Sequence, residues 1–462
     1  MSKHGALNMM EGSPYRLIVR FSIPMLLGNL LQQLYNMVDS AVVGRFVGTE
    51  ALAAVGTTFP IVFMIISLFI GLGMGASVII AQYFGAGDMD GVRRTVDTLY
   101  VAMFVMAVVI GGIGLLVSRP ILLLIQTPPD TIDLATTYMQ ITFIGTLAVF
   151  GFNVNGGILQ GLGDSRSPLI YVGIATAINI VLDLVFVVAF GWGVAGVAWA
   201  TVIAQGFSFV YGILHINKVN PHIKIDLKNL VFDRRLLADS LRIGLPVSLQ
   251  NMSFAIGAIV LQALINSFQS DFMAGYNAAN KIDAFAFLPM MTFSNAITTY
   301  VGQNVGAGRW DRVKSGIHAT LKLSVGLSLA ICVLLLLFSG TLLELFTTSP
   351  AVIEAGQVYL VTVVPFYFLL AILFVLNGAM RGAGSTFIPL IATLLSLWLI
   401  RVPFAYLFVH WFGRDAMFFS YGAGWLVGLM AVLPYYLSGR WKKAALAGAG
   451  TGVVTATESA SD

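Results

Sequence analysis

Apolar runs of about the length needed to cross a bilayer recur along this chain, and they leave few folds open to it. Runs bounded by charge, Gly or Pro predict about 12 spans, each long enough to cross at 1.5 Å per residue. They lie at 15–43, 51–83, 95–117, 134–157, 168–190, 194–216, 244–269, 273–305, 316–338, 356–379, 386–410 and 416–438. Exposed backbone finds no partner in lipid, and no ten-residue alternation of a barrel is present, so these spans are expected to be helices. Composition agrees: 58% of the 462 residues are hydrophobic and 10% charged, against roughly 25% charged in a soluble domain. An all-α polytopic membrane protein is the expected class.

The charges then orient the spans. Lys and Arg collect on one set of loops, including Arg93, Arg94, Lys218, Lys224, Arg234, Arg235, Arg309, Arg312, Arg381, Arg440 and Lys443. The opposite side carries only Arg45, Arg119 and Arg414. The positive-inside rule places both termini in the cytoplasm of a multi-pass protein of the cell membrane. The formal charge of +4 forms no basic patch, so no nucleic-acid partner is expected. The single Cys332, in an apolar run, excludes an intramolecular disulfide and reads as packing or lipid-facing. No cleavable leader is apparent in "MSKHGALNMMEGSPYR", so the first span is expected to be its own insertion signal.

The chain repeats itself. "AQYFGAGDMDGVRR" (81–94) aligns with "GQNVGAGRWDRVKS" (302–315), pairing Gln82 with Gln303, Gly87 with Gly308 and Asp90 with Asp311, each 221 residues apart. The same step aligns "QGLGDSRSPL" with "RGAGSTFIPL" through Gly161/Gly382, Gly163/Gly384 and Pro168/Pro389, and Pro24 matches Pro246 one residue further on. Three blocks in order at one spacing indicate a tandem duplication. Six spans per copy is an even number, so the copies enter the membrane with the same orientation, as a parallel repeat. The expected organisation is an N-terminal six-helix lobe (1–216), a basic cytoplasmic connector (217–242), a C-terminal six-helix lobe (243–439) and a disordered cytoplasmic tail (440–462).

Within this apolar frame a few charges stand out. An Asp at mid-membrane costs about 2.5–3.5 kcal/mol on insertion scales, so it is expected near an end, paired, or functional. Asp39 lies in "LYNMVDSAVVG" and Asp183 mid-span in "INIVLDLVFVVAF". For Asp39 the alternative is snorkelling at the outer end of its span, close to Arg45. Asn179 and Asp183 are four residues apart and share a helix face, as do Tyr35 and Asp39. If these two faces meet, they form a small polar cage that can take up and release a proton or hold Na+ with its oxygens. Further along, "NKIDAFAFL" places Lys281 and Asp283 in the eighth span, two residues apart and therefore unable to face each other. Each is a candidate for functional coupling or for an ordinary interhelical pair, whereas Arg401 reads as structural.

"PMLLGNLLQQLYNMVDSAVVGRFVG", "GQNVGAGRWDRV", "LQGLGDSRSPL" and "INIVLDLVF" closely resemble the multidrug and toxic compound extrusion (MATE) transporters, and the resemblance spans essentially the whole chain. It implies a V-shaped pair of six-helix lobes and an antiporter that exports organic, often cationic, compounds against H+ or Na+, with no other cofactor. In the branch that this sequence is most similar to, an Asp in a "YNxVD" context binds the coupling ion, which maps onto Tyr35 and Asp39. An Asn and an Asp four apart map onto Asn179 and Asp183, and a Thr on the sixth span maps onto Thr201. Tyr138 and either Asn153 or Asn155 line the same cavity in this reading. Another branch uses acids on the seventh and tenth spans, where this chain has none.

The aromatic set "VVPFYFLL" on the tenth span, with Phe366 and Tyr367, is the best candidate for a substrate wall; 18 Met and 12% aromatic residues suit adaptable apolar surfaces for flat cations. Small organic substrates and membrane lipid are the expected partners, and a monomer the expected state. Pro24, Pro60, Pro289 and Pro365 would let their helices kink. An enzyme is disfavoured, because the five His residues form no metal-ligand motif and no nucleophile elbow is present. "GLGMGAS" (71–77) has the glycines of a dinucleotide motif but no preceding strand. A channel is disfavoured by the lack of a repeated filter or acid ring. A flippase for a lipid-linked precursor, from the same superfamily, is the runner-up.

Overall fold

The computed structural model describes residues 7–220 and 223–445, and among these it contains helices and no strand. The expected tail lies outside the described residues from 446 onward. In chain order the helices are α1 (Pro14–Val42), α2 (Thr49–Ala86), α3 (Met89–Leu124), α4 (Ile132–Ile144), α5 (Thr146–Gly161), α6 (Arg166–Asp183), α7 (Gly193–Val219) and α8 (Arg234–Asn266). There follow α9 (Ser270–Gly306), α10 (Trp310–Glu344), α11 (Pro350–Val363), α12 (Tyr367–Gly382), α13 (Phe387–Leu394), α14 (Val402–Phe412) and α15 (Phe419–Leu437).

Among the described residues ten helical stretches are long and apolar enough to cross a membrane, and α4 with α5, bent by 54°, makes an eleventh. The twelfth expected span falls on α9, whose 37 residues suffice in length while Asn277, Asn280, Lys281 and Asp283 lower its hydropathy. Two spans are broken for identifiable reasons. Gly145 separates α4 from α5, where Val202 of α7 leaves no room for a β-carbon. Pro365, which cannot donate to the preceding turn, sits in the 3-10 turn Val364–Phe366 between α11 and α12.

The chain divides into two compact units. One contains the described chain up to Asn8 and residues 23–248, that is α1 from Ile23, α2 to α7 and the start of α8; the other contains 9–22 and the chain from Leu249. The divisions in α1 and α8 fall within two residues of Pro24 and Pro246, the matched prolines of the repeat. The core of the first unit joins α2, α3, α5 and α7 through Leu72, Tyr100, Phe150, Ile158 and Phe209. That of the second joins α9, α11, α12 and α15 through Tyr276, Met290, Tyr359, Leu370 and Trp425.

The repeated glycines have a backbone cause. Gly87 and Gly308 close α2 and α9 with φ of 77° and 70°, and Gly163 and Gly384 close α5 and α12 with φ of 84° and 88°. A residue with a β-carbon is strained there, so both copies keep Gly at the helix ends. Gly71 and Gly75 of "GLGMGAS" serve a different end: they let α2 pack directly on Ser240, Gly244 and Ser248 of α8. Ser248 Oγ donates to Leu68 O at 3.2 Å across this contact.

The basic connector folds onto the first unit. Asn217 and Ile225 exchange two hydrogen bonds of 3.0 and 2.6 Å, and the Ile223 and Ile225 side chains are buried. Asn229 donates to Asp226 at 2.8 Å, and this bond holds the Asp226 carboxyl below the usual carboxylate range.

Candidate functional site

The two helix faces singled out by spacing meet inside the first unit. Tyr35 and Asp39 lie on the last turns of α1, just before a π-helical turn at Val43–Val47. Asn179 and Asp183 end α6, immediately before a second π-helical turn at Leu184–Ala189. Such turns insert one residue into the helix, re-aim what precedes them, and are frequent at functional sites. Thr201 comes from α7 and completes the ring.

The Tyr35 hydroxyl donates to Thr201 Oγ1 at 2.9 Å. Asp39 neighbours Asp183, Tyr35, Thr201 and Asn179. With its amide nitrogen toward the acids, Asn179 donates to Asp39 Oδ1 at 2.8 Å and to Asp183 Oδ2 at 3.3 Å. Turned over, the same amide adds its oxygen to the carboxylate oxygens and the cage becomes a set of oxygen donors for a cation. Asn179 and Asp183 are fully buried, Tyr35 nearly so and Asp39 half-buried. The Oδ1 atom of Asp183 is buried without a hydrogen-bond partner.

The walls are apolar, with Val42, Val43, Val187, Val194 and Val197 packed together and Val38 and Tyr138 against them. Tyr138 is close enough for both acids to act on its hydroxyl. Neither acid forms an ion pair among the described residues, so Arg45 is not paired with Asp39. Two carboxylates side by side in an apolar wall without a protein cation must share a proton or hold a metal cation. No group of three His, Cys, Asp or Glu converges among the described residues, which leaves the neutral oxygens of Tyr35, Asn179 and Thr201 to complete such a site.

The remaining candidates fall elsewhere. Asn153 turns back on its own helix, donating to Val149 O at 2.7 Å. Asn155 is fully buried between α3, α5 and α7, where it accepts from the Tyr100 hydroxyl and donates to Phe209 O at 2.9 Å. In the second unit, Asp283 is buried and receives hydrogen bonds from the hydroxyls of Tyr359, at 2.9 Å, and of Tyr367. Arg401, which ends a π-helical turn at Leu395–Arg401, acts on Asp283 from beyond ion-pair contact and lies 3.4 Å from the ring centre of Tyr421. Tyr421 in turn shares a hydrogen bond of 3.3 Å with Tyr276. Lys281 points away from this cluster and is exposed, with its ammonium 5.7 Å from the ring centre of Phe346. Phe366 is half-buried, where its ring blocks any β-carbon at Gly422.

Sequence reasoning missed Tyr276, Tyr359 and Tyr421. A signal was available for Tyr359, which lies 221 residues from Tyr138 and so occupies the matching place in the second copy. It also missed Gln205, one turn after Thr201 on α7, whose Oε1 is buried without a partner.

Comparison with known proteins agrees with this architecture. Residues 24–185 match the MatE family, and residues 246–407 match it again at the 222-residue step of the two prolines. A probable multidrug resistance protein of Bacillus subtilis, YpnP, is 32% identical over 438 residues, covering 95% of this chain and 98% of its own. A second from the same organism, YoeA, is 29% identical and covers 93% and 95%. A crystal structure of MATE in complex with MaL6 superposes with a TM-score of 0.89 at 27% identity, over 96% of this chain and 100% of that one. With two family matches in tandem and relatives similar from end to end, the chain belongs to the MatE family of multidrug and toxic compound extrusion transporters.

Proposed function

We propose that this protein is a secondary active antiporter that exports organic, often cationic, compounds in exchange for H+ or Na+ by alternating access. The observation that carries this reading is the buried Asp39–Asn179–Asp183 cage, which holds two acids without an ion-paired Lys or Arg among the described residues. Bound H+ or Na+ cancels one of the two negative charges of the cage. A cationic substrate competes for the same negative charge, so loading one ligand favours release of the other. Exchange for a monovalent cation moves no net charge and draws on the ion's concentration gradient, while exchange for a neutral substrate also gains about 2.3 kcal/mol per 100 mV from the charge that crosses, so no nucleotide is required. In this reading Asp39, Asp183, Asn179, Thr201 and Tyr35 hold the ion. Tyr138 and Asn153 border the adjoining space, and Asp283 with Tyr367 forms a second polar site. Both termini are cytoplasmic, in keeping with the basic loops, and the working unit is a monomer.

The flippase alternative is less well supported. Its cargo would be an anionic phosphorylated lipid, whereas the uncompensated groups in the first unit are acids, and both relatives named above are described as multidrug resistance proteins. The test is efflux of a fluorescent organic cation from vesicles, with a pH gradient and a Na+ gradient imposed separately. One gradient should drive efflux in the wild type, and Asp39→Asn and Asp183→Asn should abolish it while inserting normally. Full export in either variant removes that residue from the coupling site.

A further inference from the structure

A groove of about 580 Å3 runs between α9 and α10 in the second unit, within the roughly 300–1,000 Å3 of small-molecule sites. It is apolar throughout, with Ile282, Phe285, Ile331, Leu334, Phe338 and Phe346 among its walls. No charged residue is among its walls, and a lysine stands beside one end. Lys281 lies one turn before Phe285 on the same face of α9, and its ammonium stands by the ring of Phe346 at the rim. Lys281 forms no ion pair among the described residues. The nearest acid in sequence, Asp283, is turned inward onto Tyr359 and Tyr367.

Depth gives this end a meaning. At 1.5 Å per residue, the 37 residues of α9 extend about 55 Å. A hydrocarbon core of about 30 Å centred on such a helix leaves about 12 Å outside at each end. Lys281 is about 16 Å from the start of α9, close to the boundary between headgroups and chains. Phe346 is level with it, and Ile331 lies about four helical turns further into the membrane along α10. The groove therefore runs from near one headgroup boundary past the bilayer centre, about the extended length of one acyl chain. An ammonium at that depth is costly unless it snorkels or meets an anion.

We propose that this groove is a binding site for an anionic phospholipid, with one acyl chain lying between α9 and α10 and the phosphate paired with Lys281. The chain supplies apolar contact, which lipid in general offers. The phosphate supplies selection, because only an acidic headgroup leaves a net negative charge for the ammonium.

Native mass spectrometry of the full chain, released from nanodiscs of mixed phosphatidylglycerol and phosphatidylcholine, tests the proposal. The wild type should retain phosphatidylglycerol several-fold over phosphatidylcholine. Lys281→Glu should abolish that preference and Lys281→Arg should keep it. Leu334→Trp, which fills the groove from its exposed side, should reduce retention of the phospholipid with the charge unchanged. Equal retention of both lipids by the wild type, or a preference that survives Lys281→Glu, overturns the site. Retention unaffected by Leu334→Trp overturns the placement of the chain. Displacement of phosphatidylglycerol by an equimolar free fatty acid would make that amphiphile the occupant and overturn the phospholipid assignment.

Discussion

Replacing Asp39 by Asn should stabilise the protein when no coupling ion is present. One Asn179 nitrogen, 2.8 Å from an Asp39 oxygen and 3.3 Å from an Asp183 oxygen, holds those oxygens no more than about 6 Å apart. At that distance and an effective dielectric constant of about 20, two negative charges repel by about 3 kcal/mol. Water at half-buried Asp39 screens part of this, leaving about 1–3 kcal/mol that Asp39→Asn removes. For a unit of this size, each kcal/mol moves the melting temperature by about 2–4 °C. Thermal unfolding at pH 9 with Na+ replaced by choline should therefore show Asp39→Asn melting above the wild type by roughly 2–12 °C. Na+ at the same pH should raise the wild type past the variant if the pair binds Na+. If only acidification closes the gap, the pair binds H+. A variant that melts at or below the wild type at pH 9 without Na+ refutes the uncompensated pair, and one that still gains from Na+ refutes Asp39 as a ligand.

Asp283→Ala would leave two buried tyrosine hydroxyls without their acceptor and remove the carboxylate that Arg401 acts on at longer range, with a loss of about 2–4 kcal/mol, whereas Asp283→Asn keeps an acceptor oxygen and should lose less; denaturation of the two variants in parallel checks the order. Gly163→Ala and Gly384→Ala should each lower stability by about 1 kcal/mol through the same left-handed backbone, and unequal losses would break the structural equivalence of the copies. Asn155→Leu should cost about 1–3 kcal/mol by leaving the buried Tyr100 hydroxyl without its acceptor, with drug efflux per folded molecule unchanged. A fall in efflux at unchanged stability would instead place Asn155 in the transport path.

Much of this was legible in the chain because it rests on local periodicity. Span length, the 221-residue step and the four-residue spacings of Tyr35/Asp39 and Asn179/Asp183 are all fixed within one helix or by one copy against the other. What was not legible depends on which helix faces meet. Asn153 and Asn155 lie on an α5 that is apolar on every side, so spacing alone could not tell which of them faces α3 and α7. The partners of Asp283 come from α11 and α12, some 80 residues away, and Tyr359 was recoverable only by carrying Tyr138 forward through the repeat.

The duplication explains why the two halves can share a backbone and differ in chemistry. Glycine caps and matched prolines recur because they answer to backbone geometry, which both copies share. The buried charges answer to side-chain partners, and these have diverged. In the second unit Asp283 has two tyrosine donors and the Arg401 cation acting on it, so its charge is balanced within the protein. In the first unit Asp39 and Asp183 have the neutral partner Asn179 and no ion pair among the described residues, so their charge calls for a bound proton or cation. The copies are thus equivalent as scaffolds and unequal as electrostatic sites. Placing a cation beside the pair, as Asn179→Lys, should satisfy both acids permanently, raise the melting temperature at pH 9 without Na+, and stop ion-driven efflux. Efflux that persisted in that variant would show that the charge deficit of the first unit is not what couples the ion to transport.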